Sequence, residues 1–319
     1  MRTYVKQCLV ALTLFASLAS ADDHKDKIKF KAEEVKPGIY MLMGVGGFTG
    51  GNIGLSIGED GVVMIDDAMP SSLQILQDAI KDVTKNPIDF LINTHVHGDH
   101  TGNNVVMSEG GAHIVAHENL REHMLTKGIS MGGKTVDAPK AMLPVVTFET
   151  SMSFHLNNED AKLMHLPRAH TDGDAIIHFK QANVVHTGDV FFNGMFPFID
   201  LNSGGSVKGY LAAQKAVLNM TDDNTKIIPG HGPLATKVDL AKSVSMLEDS
   251  IMLVKKAMKG NKSEDDVVKM NPLKKYHDDW NWGFITTERM TRQLYKGLSS
   301  DLASNTEHSH GTKAHSHSH

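Results

Sequence analysis

Between Thr94 and Asn103 the chain places His95, His97, Asp99 and His100, so three imidazoles and one carboxylate fall within six consecutive residues. These are the nitrogen and oxygen donors that suit zinc. The preceding run, Ile88 to Asn93, has the apolar character of a buried strand, which puts the donors on a loop at the end of a rigid element. The spacing also divides them. His95 and His97 can converge on one ion, while Asp99 and His100 turn toward a second. A solvated polar loop has no need of three histidines.

Further ligands must come from elsewhere, and three segments share one pattern: an apolar run that breaks into a turn carrying a donor. Ala161–Pro167 leads to His170, Asn183–His186 leads to Asp189, and Lys226–Pro229 leads to His231 between two glycines. Donors at strand ends along one rim of a sheet would form a rigid, open site.

This ordered set, from about Lys36 to His231, resembles the metallo-β-lactamase superfamily. The resemblance implies an α/β (α+β) fold, the αββα sandwich of two mixed sheets with helices outside and the metal site at one edge. It implies two Zn2+ ions, with His95, His97 and His170 on one, Asp99, His100 and His231 on the other, and Asp189 bridging them. Thiolate-containing lactamases of this superfamily carry Cys at the bridging position and a Lys three residues later for the β-lactam carboxylate. Here those positions are Asp189 and Phe192. The intervals from His170 to Asp189 and from Asp189 to His231 nevertheless look like those of the Cys-containing enzymes. Ligand spacing thus favours a cyclic amide, while Asp189 and Phe192 favour an ester or thioester. The expected function is a binuclear zinc hydrolase of a small carbonyl substrate, β-lactamase-like, with lactonase and glyoxalase II-like thioesterase as alternatives. A non-catalytic zinc-binding or scavenging protein is the alternative of another class, and the intact Asp99, His100 and His231 argue against it.

Two zinc ions about 3.5–4 Å apart can hold a hydroxide between them. Metal binding lowers the pKa of water from about 15.7 to about 7, so no separate strong base is required. Asp99 is both a ligand and the best candidate to steer protons. Other groups should orient the imidazoles. Asp66 or Asp67, at the end of the apolar run Gly61–Ile65, and Asp174 are candidates for this, or else caps of turns. His165 and His186 lie in apolar runs and read as core histidines. His113, His117 and His123 read as structural or surface groups, and His178 as the polar face of a strand. For substrate, four phenylalanines lie between Phe191 and Phe198, and Phe192 is the candidate wall. Phe48, in the glycine-rich loop Gly44–Gly51, could cover a ligand, and Asn202 and Lys208 could meet its polar groups.

The chain has 319 residues with a formal net charge of −5 and no basic stripe, which argues against a nucleic-acid partner. At the N-terminus, Arg2 and Lys6 precede an apolar segment from Cys8 to Leu18. Ala19-Ser20-Ala21 then matches a cleavage pattern, so residues 1–21 read as a secretory signal rather than a membrane span. The mature chain would have no cysteine and no stable membrane insertion, and its destination would be periplasmic or secreted. Residues 22–300 would form the hydrolase domain. Residues 301–319 are expected to be a disordered tail that scavenges zinc, because the stretch from Glu307 to His319 carries five histidines and lacks apolar residues for packing.

Among the elements, the pattern predicts strands at Tyr40–Met43 and Ile53–Ile57, and an amphipathic helix over 71–83. Further helices are expected at 119–126, 238–259, 263–270 and 288–298. The segment 124–145 reads as irregular.

Overall fold

The computed structural model describes residues 27–131 and 134–310; the expected signal segment and the last nine residues of the tail lie outside the described residues. The strands are β1 (Lys29–Lys36), β2 (Ile39–Val45), β3 (Ile53–Gly58), β4 (Gly61–Ile65), β5 (Phe90–Ile92), β6 (His113–His117), β7 (Ile129–Met131), β8 (Lys134–Val136), β9 (Val146–Phe148), β10 (Ser151–Leu156), β11 (Glu159–His165), β12 (Ala175–Phe179), β13 (Val184–His186), β14 (Lys226–Ile228) and β15 (Ala235–Thr236). The helices are α1 (Leu73–Val83), α2 (Gly98–Thr101), α3 (Asn104–Glu109), α4 (Glu118–Lys127), α5 (Val207–Met220), α6 (Lys237–Ala257), α7 (Glu264–Met270), α8 (His277–Trp280) and α9 (Thr287–His310).

Two mixed sheets carry the molecule, one in the order β1-β2-β3-β4-β5-β6-β9 and one in the order β10-β11-β12-β13-β14-β15. In the first, β4, β5, β6 and β9 run parallel, and in the second β13 and β14 do. Alternation along β4 shows how the layers arise. Val62 and Met64 face outward and pack with Leu76, Ala79 and Ile80 of α1, whereas Val63 and Ile65 face inward. There they meet Leu163, Ile177 and Val184 of the second sheet. That sheet's outer residues Ile176, Val185 and Ile227 pack against Ala213 and Val217 of α5 and Leu240 of α6. Each fully buried Val, Ile or Met contributes about 1.5–3 kcal/mol, so this three-interface core is the main source of stability. The result is the expected αββα sandwich. A further cluster joins Val207 and Tyr210 of α5 to Leu247 and Val254 of α6, Val267 of α7 and Met290 and Leu294 of α9.

Two segments differ from expectation. Residues 124–145 contain the ribbon β7–β8, and Met142 and Leu143 are buried against Leu120 and Met124 of α4, so apolar side chains spaced too irregularly for one helix or strand still found a core. The last helix runs to His310 rather than Leu298. It extends through the first ten residues of the segment expected to be disordered, because a packed helix propagates cheaply once nucleated and no Gly or Pro lies between Leu298 and Gly311.

Candidate metal centre

All seven candidate ligands converge at strand ends, six of them after the parallel-paired strands β5, β13 and β14 and His170 after the antiparallel β11. β5 ends at Ile92 and delivers His95, His97, Asp99 and His100 through the short helix α2. His170 stands in the turn between β11 and β12, Asp189 just after β13, and His231 just after β14. The donor atoms fall into two groups, His95, His97, His170 and Asp189 in one and Asp99, His100 and His231 in the other, each with its atoms within 4.8 Å of one another. Asp189 lies between them and divides its carboxylate. Its Oδ2 faces His95 Nε2 at 3.6 Å and His170 Nε2 at 3.4 Å, and its Oδ1 faces His100 Nε2 at 3.1 Å and His231 Nε2 at 3.4 Å. Asp99 Oδ2 is 3.3 Å from His231 Nε2.

The outward ring nitrogens are tied to acceptors, and this fixes which nitrogen faces inward. His100 Nδ1 donates to Asp66 Oδ2 at 2.7 Å. His95 Nδ1 donates to Thr94 Oγ1 at 3.0 Å, and that hydroxyl donates to the same Asp66 Oδ2 at 2.8 Å. His170 Nδ1 donates to the Phe198 carbonyl at 2.8 Å, and His97 Nε2 to Asp200 Oδ2 at 3.0 Å. Four imidazoles are thereby left with bare nitrogens pointing at one another, His170 Nε2 and His97 Nδ1 being 2.9 Å apart. Two lone pairs so close require a shared cation or proton. Buried His95 Nε2, His100 Nε2 and Asp189 Oδ1 make no well-aligned hydrogen bond, the 3.1 Å approach of the last two to each other included, which is costly unless something binds there. The residues present fit a metal on both sides of Asp189.

The electrostatics agree with that fit. Burial would raise the Asp189 carboxyl, but His100, His231 and His95 hold it well below the usual range. Burial opposes ionisation of Asp99 too, yet His100 and His231 bring it down to about 2. Burial lowers His170 to about 4 and pushes His95 down as well, so both stay neutral. Burial acts the same way on His231, but the Asp189 and Asp99 carboxylates overcome it and raise the imidazole to about 9. A cation bound there would displace that proton.

Glycine permits the close packing beneath the ligands. A Cβ on Gly51 would land on the His100 ring, and one on Gly230 on Asp189 Oδ1. Gly51 N donates to the Asp99 carbonyl at 3.0 Å, and the Asn52 amide clamps the carbonyls of Pro229 and Gly232 at 2.9 and 2.8 Å, so one loop holds both ligand turns. The glycine-rich loop therefore serves close approach at its end, whatever its tip does. Gly51→Ala should displace His100 at a cost of about 1–3 kcal/mol and selectively weaken the group containing Asp99, His100 and His231. Metal content and melting temperature measured together check this, and unchanged zinc uptake would rule out the packing argument.

Of the two acids after β4, Asp66 orients ligands. Asp67 instead accepts from Asn103 N at 3.0 Å, and Asp174 accepts from Thr171 N and Oγ1 at 2.8 and 2.7 Å, so both hold turns. His186 is a core histidine whose Nδ1 accepts from Gly188 N. His165 stacks on His117 at 3.6 Å.

Phe192 is 2% exposed and stacks on His231 at 5.1 Å, while Phe48 is 61% exposed and stacks on the same ring at 5.9 Å. Asn202 contributes its backbone N–H to Asp200 Oδ1 at 3.0 Å, so its loop braces the acid that holds His97. Although burial opposes it, His97 and Ser203 keep Asp200 ionised, well below the usual carboxylate range. Lys208 lies exposed in the first turn of α5.

Sequence reasoning missed Asp200, visible only as the acid closing the Phe-rich run, and a second aromatic wall beyond β15. Trp282 lies 6.2 Å from Phe192 and 6.4 Å from His231, and Phe284 lies 5.5 Å from Phe198. Trp282 Nε1 donates to the Phe196 carbonyl at 2.8 Å, and Gln293 bridges the Pro197 carbonyl and the Ile199 amide at 3.1 and 2.8 Å. The signal available was that both tryptophans of the chain fall within Trp280–Trp282.

Residues 46–231 match the metallo-beta-lactamase superfamily, and the chain belongs to it. Its members are metallo-hydrolases. The acyl-coenzyme A thioesterase MBLAC2 of Homo sapiens is 24% identical over 205 residues, covering 56% of this chain and 72% of that protein. Among solved structures, a metallo-beta-lactamase from Pontibacter korlensis superposes with a TM-score of 0.59 at 16% identity, covering 69% of this chain and 100% of that one. The sec-alkylsulfatase Pisa1 from Pseudomonas sp. reaches a TM-score of 0.62 at 15% identity, and covers 87% of this chain but 52% of that enzyme. These two likenesses establish the fold alone.

Proposed function

We propose that the chain is a two-zinc hydrolase of a small ester or thioester with an apolar body. The observation that carries the hydrolase reading is the split of Asp189 between two donor groups whose buried nitrogens, on His95 and His100, lack partners. Bound zinc would supply Lewis acidity and water activation at neutral pH. The chain's own residues do the rest. His95, His97 and His170 would hold one ion, Asp99, His100 and His231 the other, and Asp189 both. Asp66 and Asp200 fix ring orientation, and Asp99, the more exposed carboxylate at 20% against 4% for Asp189, is placed to pass a proton to a leaving group.

Phe192 supports the choice of bond. It fills the position three residues past the bridging acid with a buried ring against His231, so that position offers no cation to a β-lactam carboxylate. The name of the human relative, a thioesterase, points the same way. Ligand spacing favours the cyclic amide as a second reading. A chromogenic cephalosporin, a lactone and an acyl thioester should be offered side by side to the zinc-loaded mature protein, with and without chelator. Chelator-sensitive turnover of the thioester or lactone is expected. Cephalosporin turnover alone would favour the second reading, and no turnover with two zincs bound would favour the non-catalytic alternative.

Export to the periplasm or beyond belongs to the same reading. It is supported by the basic, apolar and small-residue order of residues 1–21, and an N-terminus other than Asp22 on protein from its native host would refute the cleavage site. Among the described residues, no helix is long and apolar enough to cross a membrane.

A further inference from the structure

Beyond the ligand cluster, Arg289 occupies a place that local rules disfavour. It sits in the first turn of α9, where the helix dipole opposes a cation. Among the described ion pairs it has none, although its neighbour Glu288 pairs with Arg292 at 2.9 Å. Its guanidinium instead lies over the Phe284 ring at 4.1 Å and the Phe198 ring at 5.5 Å. One of its five N–H groups is used, Nη1 donating to the Phe284 carbonyl at 3.0 Å. The other face of this arrangement is the metal centre, because Phe198 stacks on His97 at 5.8 Å and its carbonyl holds His170. A fixed, unpaired guanidinium thus stands one phenyl ring away from a ligand imidazole, on a support that is exposed at Phe284 and continuous with Trp282 at 5.7 Å.

We propose that Arg289 is a specificity residue that binds a carboxylate of the substrate, with Phe198, Phe284 and Trp282 receiving the aromatic or apolar segment between that carboxylate and the scissile carbonyl. Three features converge on an anion here. The remaining guanidinium N–H groups match a planar carboxylate. The amides at the start of α9 add positive potential. Arg289 is exposed and so open to a ligand, and the rings beneath hold its guanidinium without neutralising its charge. This site supplies the cation that the position of Phe192 does not, and supplies it from the opposite end of the sequence. The use made of the site rests on the hydrolase reading; its binding does not.

The test is calorimetric titration of the zinc-loaded mature protein with biphenyl-4-carboxylate and with the neutral biphenyl-4-carboxamide. The proteins compared are wild type, Arg289→Met, which keeps the stem over the rings, and Arg289→Lys. Arg289→Met should weaken the carboxylate about tenfold to a hundredfold and leave the amide unchanged, while Arg289→Lys should recover part of the loss. Equal carboxylate affinity in wild type and Arg289→Met would overturn the proposal by placing the anion elsewhere, for instance on zinc. Equal loss of both probes would overturn it by making Arg289 a brace for the rings. Thioesters with and without a distal carboxylate, assayed on the same proteins, separate the two readings. Carboxylate binding without turnover defeats the hydrolase alone, and turnover indifferent to Arg289 defeats the subsite alone.

Discussion

On the two-zinc reading proposed above, Asp189→Ala is expected to reduce bound zinc from two ions per chain to one and to lower kcat/KM by at least about a hundredfold. The reason is the division of its carboxylate, Oδ2 toward His95 and His170 and Oδ1 toward His100 and His231. No other carboxylate touches both groups among the described residues; Asp99 reaches only His100 and His231. Removal also leaves five imidazoles converging with one acid, so two cations would meet with less negative charge between them. Asp189→Asn keeps the volume and one acceptor but not the charge, and should show the same metal loss with a smaller effect on folding. Asp189→Cys has a single donor atom and should serve one group only. Metal analysis beside steady-state kinetics checks all three, and a fully active Asp189→Ala enzyme with two zincs would end the bridging role.

How far the chain could be read without coordinates depended on the range of the interactions. The seven ligands were legible because each follows an apolar strand within a few residues and the two mixed sheets bring those strand ends to one rim. Local pattern could not choose between Asp66 and Asp67. Adjacent carboxylates point apart, and the choice is made by the left-handed backbone at Asp66, φ 60°, which turns its side chain back under Thr94 and His100. Asp200 was hidden for a related reason, since its partner His97 is 103 residues away. The aromatic wall of Trp282 and Phe284 was out of reach because nothing near residue 282 indicates that it docks on Phe196, 86 residues earlier. Asn202 was read as a contact for substrate from its polarity, and the added service of its backbone N–H to Asp200 was not legible there. Local order was thus readable, and the support of the site, which is tertiary, was not.

That support is where the second large effect is expected. Asp66 is fully buried and accepts three hydrogen bonds, from Thr94 N at 2.7 Å, Thr94 Oγ1 at 2.8 Å and His100 Nδ1 at 2.7 Å. Through the Thr94 hydroxyl it also governs His95, so one carboxylate sets the ring state of a ligand in each group. Asp66→Ala strands three buried donors at about 1–3 kcal/mol each, a large share of the roughly 5–15 kcal/mol that holds a domain folded. Its loss of activity would therefore be uninformative by itself. Asp66→Asn is the sharper variant. However its amide turns, an N–H group faces either the Thr94 backbone donor or the Thr94 and His100 donors. If it faces His100, Nδ1 must become the acceptor and Nε2 must carry the proton, directed at the place where a cation would bind. The same exchange in a serine-protease triad keeps the geometry and still costs about 10⁴ in kcat through the wrong tautomer, and loss of a carboxylate behind a ligating histidine typically costs 10–100-fold in metal affinity. Asp66→Asn should accordingly melt within a few degrees of wild type, bind the second zinc about 10–100-fold more weakly, and show an altered His100 ring-nitrogen shift by NMR. Wild-type zinc affinity with an unchanged His100 signal would show that Asp66 only closes the turn after β4.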